Sequence, residues 1–161
     1  MNDEQLVRLL GELQGSGLTL ATAESLTGGA LASRVVDVPG ASNTFRGGVV
    51  TYASDTKVEL LGVDSRLIAD GGPVQAEVAA QMAQGVTRLF NADVGGSTTG
   101  VAGPGDTADG PSGLVFIGAH FPEGTRTEVH RFSGSREQVR AQSVNAALCF
   151  LHLVLQEHLG Q

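Results

Sequence analysis

The sequence predicts an α/β domain of three layers, an α/β/α sandwich with a mostly parallel sheet and an antiparallel hairpin at one edge. Short apolar segments typical of buried strands alternate with segments of helical periodicity over the first 105 residues. Two further strand-like segments, joined by a tight turn, then predict the edge hairpin. A long helical pattern follows, and 161 residues suffice for one domain, 1–161, with its own core.

The first third of the chain already alternates between the two element types. Its helices and strands are bounded by three signals: leucines at helical spacing, a short apolar segment after Gly17, and a stop at Pro39-Gly40. The elements predicted here are a helix over 3–14, a buried strand over 18–23, a helix over 28–38 and a second strand over 45–53.

The remaining elements follow from capping residues, glycines and apolar periodicity. Val78, Met82, Val86 and Leu89 are expected on one face of a central helix. The elements are a short helix from Ser54 to Gly62, a turn of helix from Asp64, the helix 74–90, a strand entering a glycine-rich loop over 92–105, an exposed loop over 106–112, hairpin strands 113–121 and 125–133, and a final helix from Ser135.

The composition excludes several classes of partner. A net charge of −7 without a basic run argues against nucleic acid or an anionic membrane as a partner, although a small anionic ligand remains possible.

Cys149 is the only cysteine, which excludes an internal disulfide and fits a reducing cytoplasm. Its apolar surroundings in the sequence predict a position in the core. No apolar run approaches the roughly 20 residues of a membrane span, and the acidic amphipathic N-terminus lacks signal-peptide features.

Three loops, 22–29, 52–57 and 98–105, each follow a predicted strand. Ligands of open α/β sheets bind at the carboxyl ends of strands, so the loops converge if their strands are neighbours.

The first loop offers Ser25 next to a helix start, where backbone amides and the helix dipole favour an anion, an oxyanion or a nucleophile. Alternatively, Ser25 or Thr27 only caps the helix. Glu24 beside them could position other groups or accept a ribose hydroxyl.

The second loop offers Lys57, the only lysine of the chain, and Tyr52. Lys57 could be a base if burial lowers its pKa, a phosphate contact, or a solvated surface residue. Tyr52 by itself is most typical of a half-buried strand position.

The third loop, "TTGVAGPG", could present backbone amides to an anion or a sugar, or could be only a strained connection. It matches neither the Walker A motif nor G-x-G-x-x-G, which argues against a dinucleotide site. Its candidate residues are Thr99, Gly100, Gly103, Pro104 and Gly105.

Arg136 and Arg140, four residues apart, could face a phosphate or pair with surface acids. The four histidines lack metal-ligand spacing, so neither a metal site nor a cofactor is expected.

Six motifs occur in an order that is specific as a set, although each alone is weak. They are "AESLTGG" (23–29), "VPGAS" (38–42), "GGVVTYASDTKVELLGV" (47–63), "GPVQAEVAAQMAQG" (72–85), "TTGVAGPG" (98–105) and "SREQVR" (135–140). Over about residues 4–157 the chain resembles the CinA C-terminal domain family of nicotinamide-nucleotide amidohydrolases, in its stand-alone form.

The resemblance implies a three-layer fold, usually a homodimer, and hydrolysis of the carboxamide of nicotinamide mononucleotide to nicotinate mononucleotide and ammonia. The family's serine falls on Ser25, its tyrosine on Tyr52 and its lysine on Lys57. Its glycine-rich loop falls on Thr99–Gly105. On this scheme Lys57 or Tyr52 takes the serine proton.

The remaining roles concern the charges that develop or bind around the serine. Amides from Thr27 through Gly28 to Gly29 are expected to hold the oxyanion, and Arg140, rather than Arg136, to bind the phosphate.

The sequence departs from the family pattern at three places: Leu26 stands where a cysteine is usual, the serine that is common near Gln75 is absent, and the loop after Gly105 is acidic. The change in the loop bears on substrate preference. Two other functions stay open: a nucleotide-binding or regulatory module without turnover, and a broader amidase for pyridine nucleotides.

Overall fold

The computed structural model describes residues 1–160 and contains a five-stranded sheet in the order β2-β1-β3-β4-β5. β1 pairs in parallel with both β2 and β3, whereas β4 pairs antiparallel with β3 and β5. The strands are β1 (Leu20–Glu24), β2 (Phe45–Val50), β3 (Val94–Gly100), β4 (Leu114–Phe121) and β5 (Gly124–Arg131). The predicted fold class, including the edge hairpin, is confirmed.

Helices cover both faces of the sheet. They are α1 (Asp3–Gly15), α2 (Ala30–Val36), α3 (Ser54–Leu61), α4 (Ser65–Gly71), α5 (Ala76–Phe90) and α6 (Arg136–His158), with a short 3-10 helix at Ala41–Asn43. Within residues 1–160, no helix is both long and apolar enough to cross a membrane.

Two apolar clusters form the core, one on each face of the sheet. Leucines and valines of α1, α2 and α6 pack together in the larger cluster. The smaller cluster joins α3 and α5 to Ala21 and Ala23 of β1. Gly85 of α5 permits close packing in this cluster, because a Cβ there would overlap the carbonyl oxygen of Leu61.

The structure corrects several predicted positions. α2 begins at Ala30 rather than at 28, because Gly28 and Gly29 adopt positive φ angles that a right-handed helix does not allow. Leu89 does not join the buried face of α5, since it is 44% exposed. Cys149 is exposed on α6 and is not part of the core.

The strand order brings the three candidate loops together. β2, β1 and β3 are adjacent and parallel, so their carboxyl ends share one edge of the sheet. The predicted convergence is therefore confirmed.

Candidate active site

The end of β1 sends two neighbouring side chains to opposite faces of the sheet. Side chains alternate along a strand, so Glu24 points toward α2 and Ser25 toward the layer that contains α3. Glu24 Oε1 accepts hydrogen bonds from the amides of Gly29 (3.2 Å) and Leu31 (2.8 Å). Its Oε2 accepts one from the amide of Ala32 (3.0 Å). The carboxylate of Glu24, and not Ser25 or Thr27, therefore caps α2.

Ser25 meets the only lysine of the chain. Lys57 Nζ donates hydrogen bonds to Ser25 Oγ (3.1 Å) and to the carbonyl oxygens of Thr51 (2.5 Å) and Tyr52 (3.3 Å). The lysine is 1% exposed, which makes it one of the largest fully buried side chains. These carbonyls fix the amine against the serine hydroxyl, within the range expected of a nucleophile and its base.

Burial brings the pKa of Lys57 into a range in which the amine can act as a base. Loss of hydration lowers the pKa of Lys57 from its ordinary 10.5 to about 8, and the nearby charge of Asp109 acts in the opposite direction. A substantial fraction of the lysine is then neutral at mildly alkaline pH. The neutral amine has a lone pair that can take a proton from Ser25.

The serine and lysine lie in a cavity of about 320 Å³, which is the size of a small-ligand site. Residues from all three predicted loops contribute to its wall. The lining residues are Ser25, Leu26, Tyr52, Lys57, Pro73, Val74, Thr99, Gly100, Val101, Ala102, Gly103, Pro104, Thr107, Asp109 and Arg136. Gly105 does not line this cavity.

Arg136 supplies a cationic group to the cavity. Its Nη1 donates to the carbonyl oxygen of Gly103 (2.7 Å) and its Nη2 to the hydroxyl of Tyr52 (3.3 Å). A guanidinium has five N–H donors, so these contacts leave donors for an anionic ligand. Tyr52 is 63% exposed, and its hydroxyl contacts Arg136, whereas Lys57 is the residue that contacts Ser25. This geometry favours Lys57 over Tyr52 as the base.

Arg140 has a different position from the one expected. Its Nε donates to the carbonyl oxygen of Leu26 (2.9 Å) and its Nη2 to that of Thr27 (3.0 Å). It braces the turn after Ser25 and does not line the cavity. The structure thus places Arg136, and not Arg140, at the cavity, whereas the sequence analysis preferred Arg140.

Four further residues of the first loop serve the structure of the turn instead of lining the cavity. Glu24 and Thr27 are fully buried, and the hydroxyl of Thr27 is hydrogen-bonded to that of Thr98. The amide of Gly28 donates to the carbonyl oxygen of Ser25 (3.1 Å), and that of Gly29 donates to Glu24. The expected oxyanion donors at Gly28 and Gly29 are thus already engaged, and Glu24 is not placed to bind a ribose.

Other backbone amides remain available at the cavity. Leu26, Ala102 and Gly103 are lining residues, and their amides donate to no other group among residues 1–160. Leu26 directly follows Ser25, which is a common position for an oxyanion donor. A single sequence does not distinguish this amide from its neighbours, because the difference depends on which amides the fold has already used.

Several residues that line the cavity are not among the predicted site residues, and Asp109 is the one that carries a charge. The segment 106–112 contains no core-forming side chain, and its prediction as an exposed loop is confirmed, since residues 106–109 are exposed. It folds back so that Thr107 and Asp109 reach the cavity. Among the residues that the structure describes, no group of three His, Cys, Asp or Glu side chains could hold a metal ion.

Comparison with known proteins decides the family. The model of the CinA C-terminal domain family matches residues 3–155. The chain belongs to this family. A CinA-like protein of Frankia casuarinae is 47% identical over 147 residues, which cover 91% of this chain and 34% of that protein. The chain thus spans about a third of the length of this curated relative.

Solved structures of CinA proteins share the whole fold. A CinA superfamily protein from Klebsiella pneumoniae superposes with a TM-score of 0.91 at 32% identity, covering 96% of this chain and 97% of its own. A competence/damage inducible protein from Agrobacterium tumefaciens gives a TM-score of 0.89 at 33% identity, covering 95% and 94%. These relatives establish the family and the fold.

Proposed function

We propose that this CinA-family chain is a nicotinamide-nucleotide amidohydrolase that converts nicotinamide mononucleotide to nicotinate mononucleotide and ammonia. The observation that carries the proposal is the buried Lys57, whose Nζ lies 3.1 Å from Ser25 Oγ. Burying a lysine without a carboxylate partner lowers the stability of the fold. The position of Lys57 against a serine hydroxyl therefore favours a chemical role for it.

The reaction begins with acylation of Ser25. Neutral Lys57 takes the hydroxyl proton as Oγ attacks the carboxamide carbon, and the carbonyl oxygen becomes an oxyanion. The amide of Leu26 donates a hydrogen bond to that oxygen. Protonated Lys57 returns the proton to the amide nitrogen, the C–N bond breaks, and ammonia leaves an ester on Ser25.

Water completes the cycle. Lys57, again neutral, takes a proton from a water molecule whose oxygen attacks the ester carbon. The C–O bond to Ser25 breaks, the proton returns from Lys57 to Oγ, and the carboxylic acid product loses its remaining proton to solvent to become a carboxylate. A positioned base of this kind contributes roughly 10²- to 10⁴-fold to the rate.

The phosphate of the nucleotide substrate requires a cationic partner in the cavity. In this proposal Arg136 binds the 5′-phosphate, because a guanidinium pairs well with phosphate oxygens. The amides of Ala102 and Gly103 add donors beside it.

The decisive measurement is ammonia release from nicotinamide mononucleotide, with the nicotinate product identified by chromatography. Ser25→Ala should lower turnover by at least about 100-fold, since it removes the nucleophile. Ser42→Ala, at an exposed serine outside the cavity, is the matched control and should keep wild-type turnover. Near-normal turnover by Ser25→Ala would exclude the scheme.

The same assay separates the other candidate functions. Binding of the mononucleotide without ammonia release would instead support the regulatory module. Release from several pyridine nucleotides at similar rates would support the broader amidase. The family resemblance also implies a homodimer in the cytoplasm, which light scattering and cell fractionation test.

A further inference from the structure

Asp109 places a negative charge in the proposed catalytic cavity. It lines the same cavity as Lys57, and its charge raises the pKa of that lysine, against the larger effect of burial. Its carboxylate forms no hydrogen bond or ion pair with another side chain among residues 1–160. Asp109 Oδ1 lies over Gly72, at 3.0 Å from where a Cβ on that residue would be.

A carboxylate at this position does not help the free protein to perform the reaction. Its charge favours the protonated form of Lys57, which cannot act as a base. It would also repel a ligand that carried only negative charge. The side chain of Asp109 is exposed to solvent, so the fold does not need this acid, whereas a ligand with a positive charge would give it a function.

The cavity carries opposite charges on different residues, Arg136 and Asp109. A pyridinium nucleotide has the matching arrangement, because its phosphate is anionic and its N-substituted ring is cationic. We propose that Asp109 is a specificity-determining residue that recognises the positive charge of the pyridinium ring. This inference rests on the proposed function and names the part of the substrate that Asp109 selects.

The proposal predicts discrimination by ring charge and not by ring shape. A benzamide riboside 5′-phosphate has a carbon in place of the ring nitrogen, so it keeps the carboxamide, the sugar and the phosphate but has a neutral ring. Wild-type protein should bind the pyridinium mononucleotide more tightly than this analogue. Removing the charge of Asp109 should abolish the difference.

Calorimetric binding to Ser25→Ala protein measures the effect without turnover. Adding Asp109→Asn should weaken binding of nicotinamide mononucleotide about fivefold, equal to about 1 kcal/mol at 1.4 kcal/mol per tenfold. Binding of the analogue with the neutral ring should be unchanged or tighter, since its phosphate no longer meets the negative charge of Asp109. The matched control is Asp106→Asn on the same loop, outside the cavity. Its side-chain oxygen can still accept from the amide of Ser112, so both affinities should be unaffected.

Equal weakening of binding for both ligands would show that Asp109 only shapes the loop, and it would overturn the proposal. Unchanged affinities of the Asp109→Asn variant, or no binding of either ligand to the protein, would also overturn it. Ammonia release by protein with intact Ser25 judges the proposed function separately. If charge-dependent binding through Asp109 is found without ammonia release, the recognition proposal stands and the hydrolysis fails.

Discussion

Replacing Lys57 with methionine should remove a pH dependence of stability that the buried amine causes. The pKa of Lys57 is 10.5 in an ordinary environment and about 8 in the folded protein. Between these values the unfolded chain binds a proton that the folded chain has released, so stability rises with pH. Below pH 8 burial of the amine costs the fold about 3 kcal/mol, at 1.36 kcal/mol per pKa unit.

The pH dependence caused by Lys57 falls within a range in which unfolding can be measured. With these two pKa values, the free energy of unfolding of wild-type protein should rise by about 2 kcal/mol between pH 7 and pH 9.5, relative to Lys57→Met. Most of the rise should occur above pH 8. Other groups titrate in both proteins and cancel in the difference.

Urea unfolding at several pH values in this range is the assay. Ser25→Ala keeps the lysine and should retain the wild-type pH dependence, which makes it the matched control. The same wild-type protein should show a kcat/KM that rises with pH and levels off above about pH 8. Parallel stability curves for wild type and Lys57→Met would refute the reasoning, because they would mean that the folded lysine titrates like a solvated one.

Four other substitutions test the frame of the site and its proposed phosphate contact. Glu24→Gln should lower the free energy of unfolding by about 2 kcal/mol, because an amide nitrogen cannot accept one of the three backbone hydrogen bonds of the helix cap. Gly85→Ala should lower the free energy of unfolding by about 2 kcal/mol. The overlap of the new Cβ with its neighbours should cost about 3 kcal/mol, and the higher helix propensity of alanine should offset about 1 kcal/mol of that. Arg140→Met should lower kcat at least about tenfold with little change in KM, because the brace on the turn is lost. Arg136→Met should instead raise KM for the mononucleotide, but not for the riboside without phosphate.

One control variant and two contrary outcomes complete these tests. Gly11→Ala, on an exposed face of α1 with open space around it, should be neutral or stabilising in the same urea assay. Unchanged stability in Glu24→Gln would mean that the three amides find other partners. If Arg140→Met raised KM only for the phosphorylated substrate, the guanidinium would be a ligand contact and not a brace.

Much of the fold could be predicted because its signals are local. Apolar periodicity predicted the helices, and glycines predicted most boundaries. The turn "PEG" at 122–124 predicted the β4-β5 hairpin, although the turn itself is only residues 122–123 because Gly124 pairs with Phe121. The error at the start of α2 came from Gly28 and Gly29, whose φ angles are not fixed by the sequence. Leu89 was misplaced because apolar character does not decide which edge of a helical face is covered.

The site was predictable to the level of residue type. Ser25, Lys57 and a glycine-rich loop follow three strands, and that pattern was sufficient to bring them together once the strands were neighbours. The two arginines could not be told apart in this way. They lie one helical turn apart, and their different roles depend on which carbonyl oxygens the folded loops present to each of them.

By itself, the sequence determined the alternation of elements, the acidic charge, the single lysine and the ordered motifs of the CinA C-terminal domain family. Tertiary structure decided that Glu24 caps a helix while Ser25 faces Lys57, since neighbouring residues of a strand point to opposite faces. It also decided that burial lowers the pKa of Lys57 and that an unremarkable acidic loop brings Asp109 to the cavity. Both effects depend on surroundings that are distant in sequence, and only packing brings those groups together.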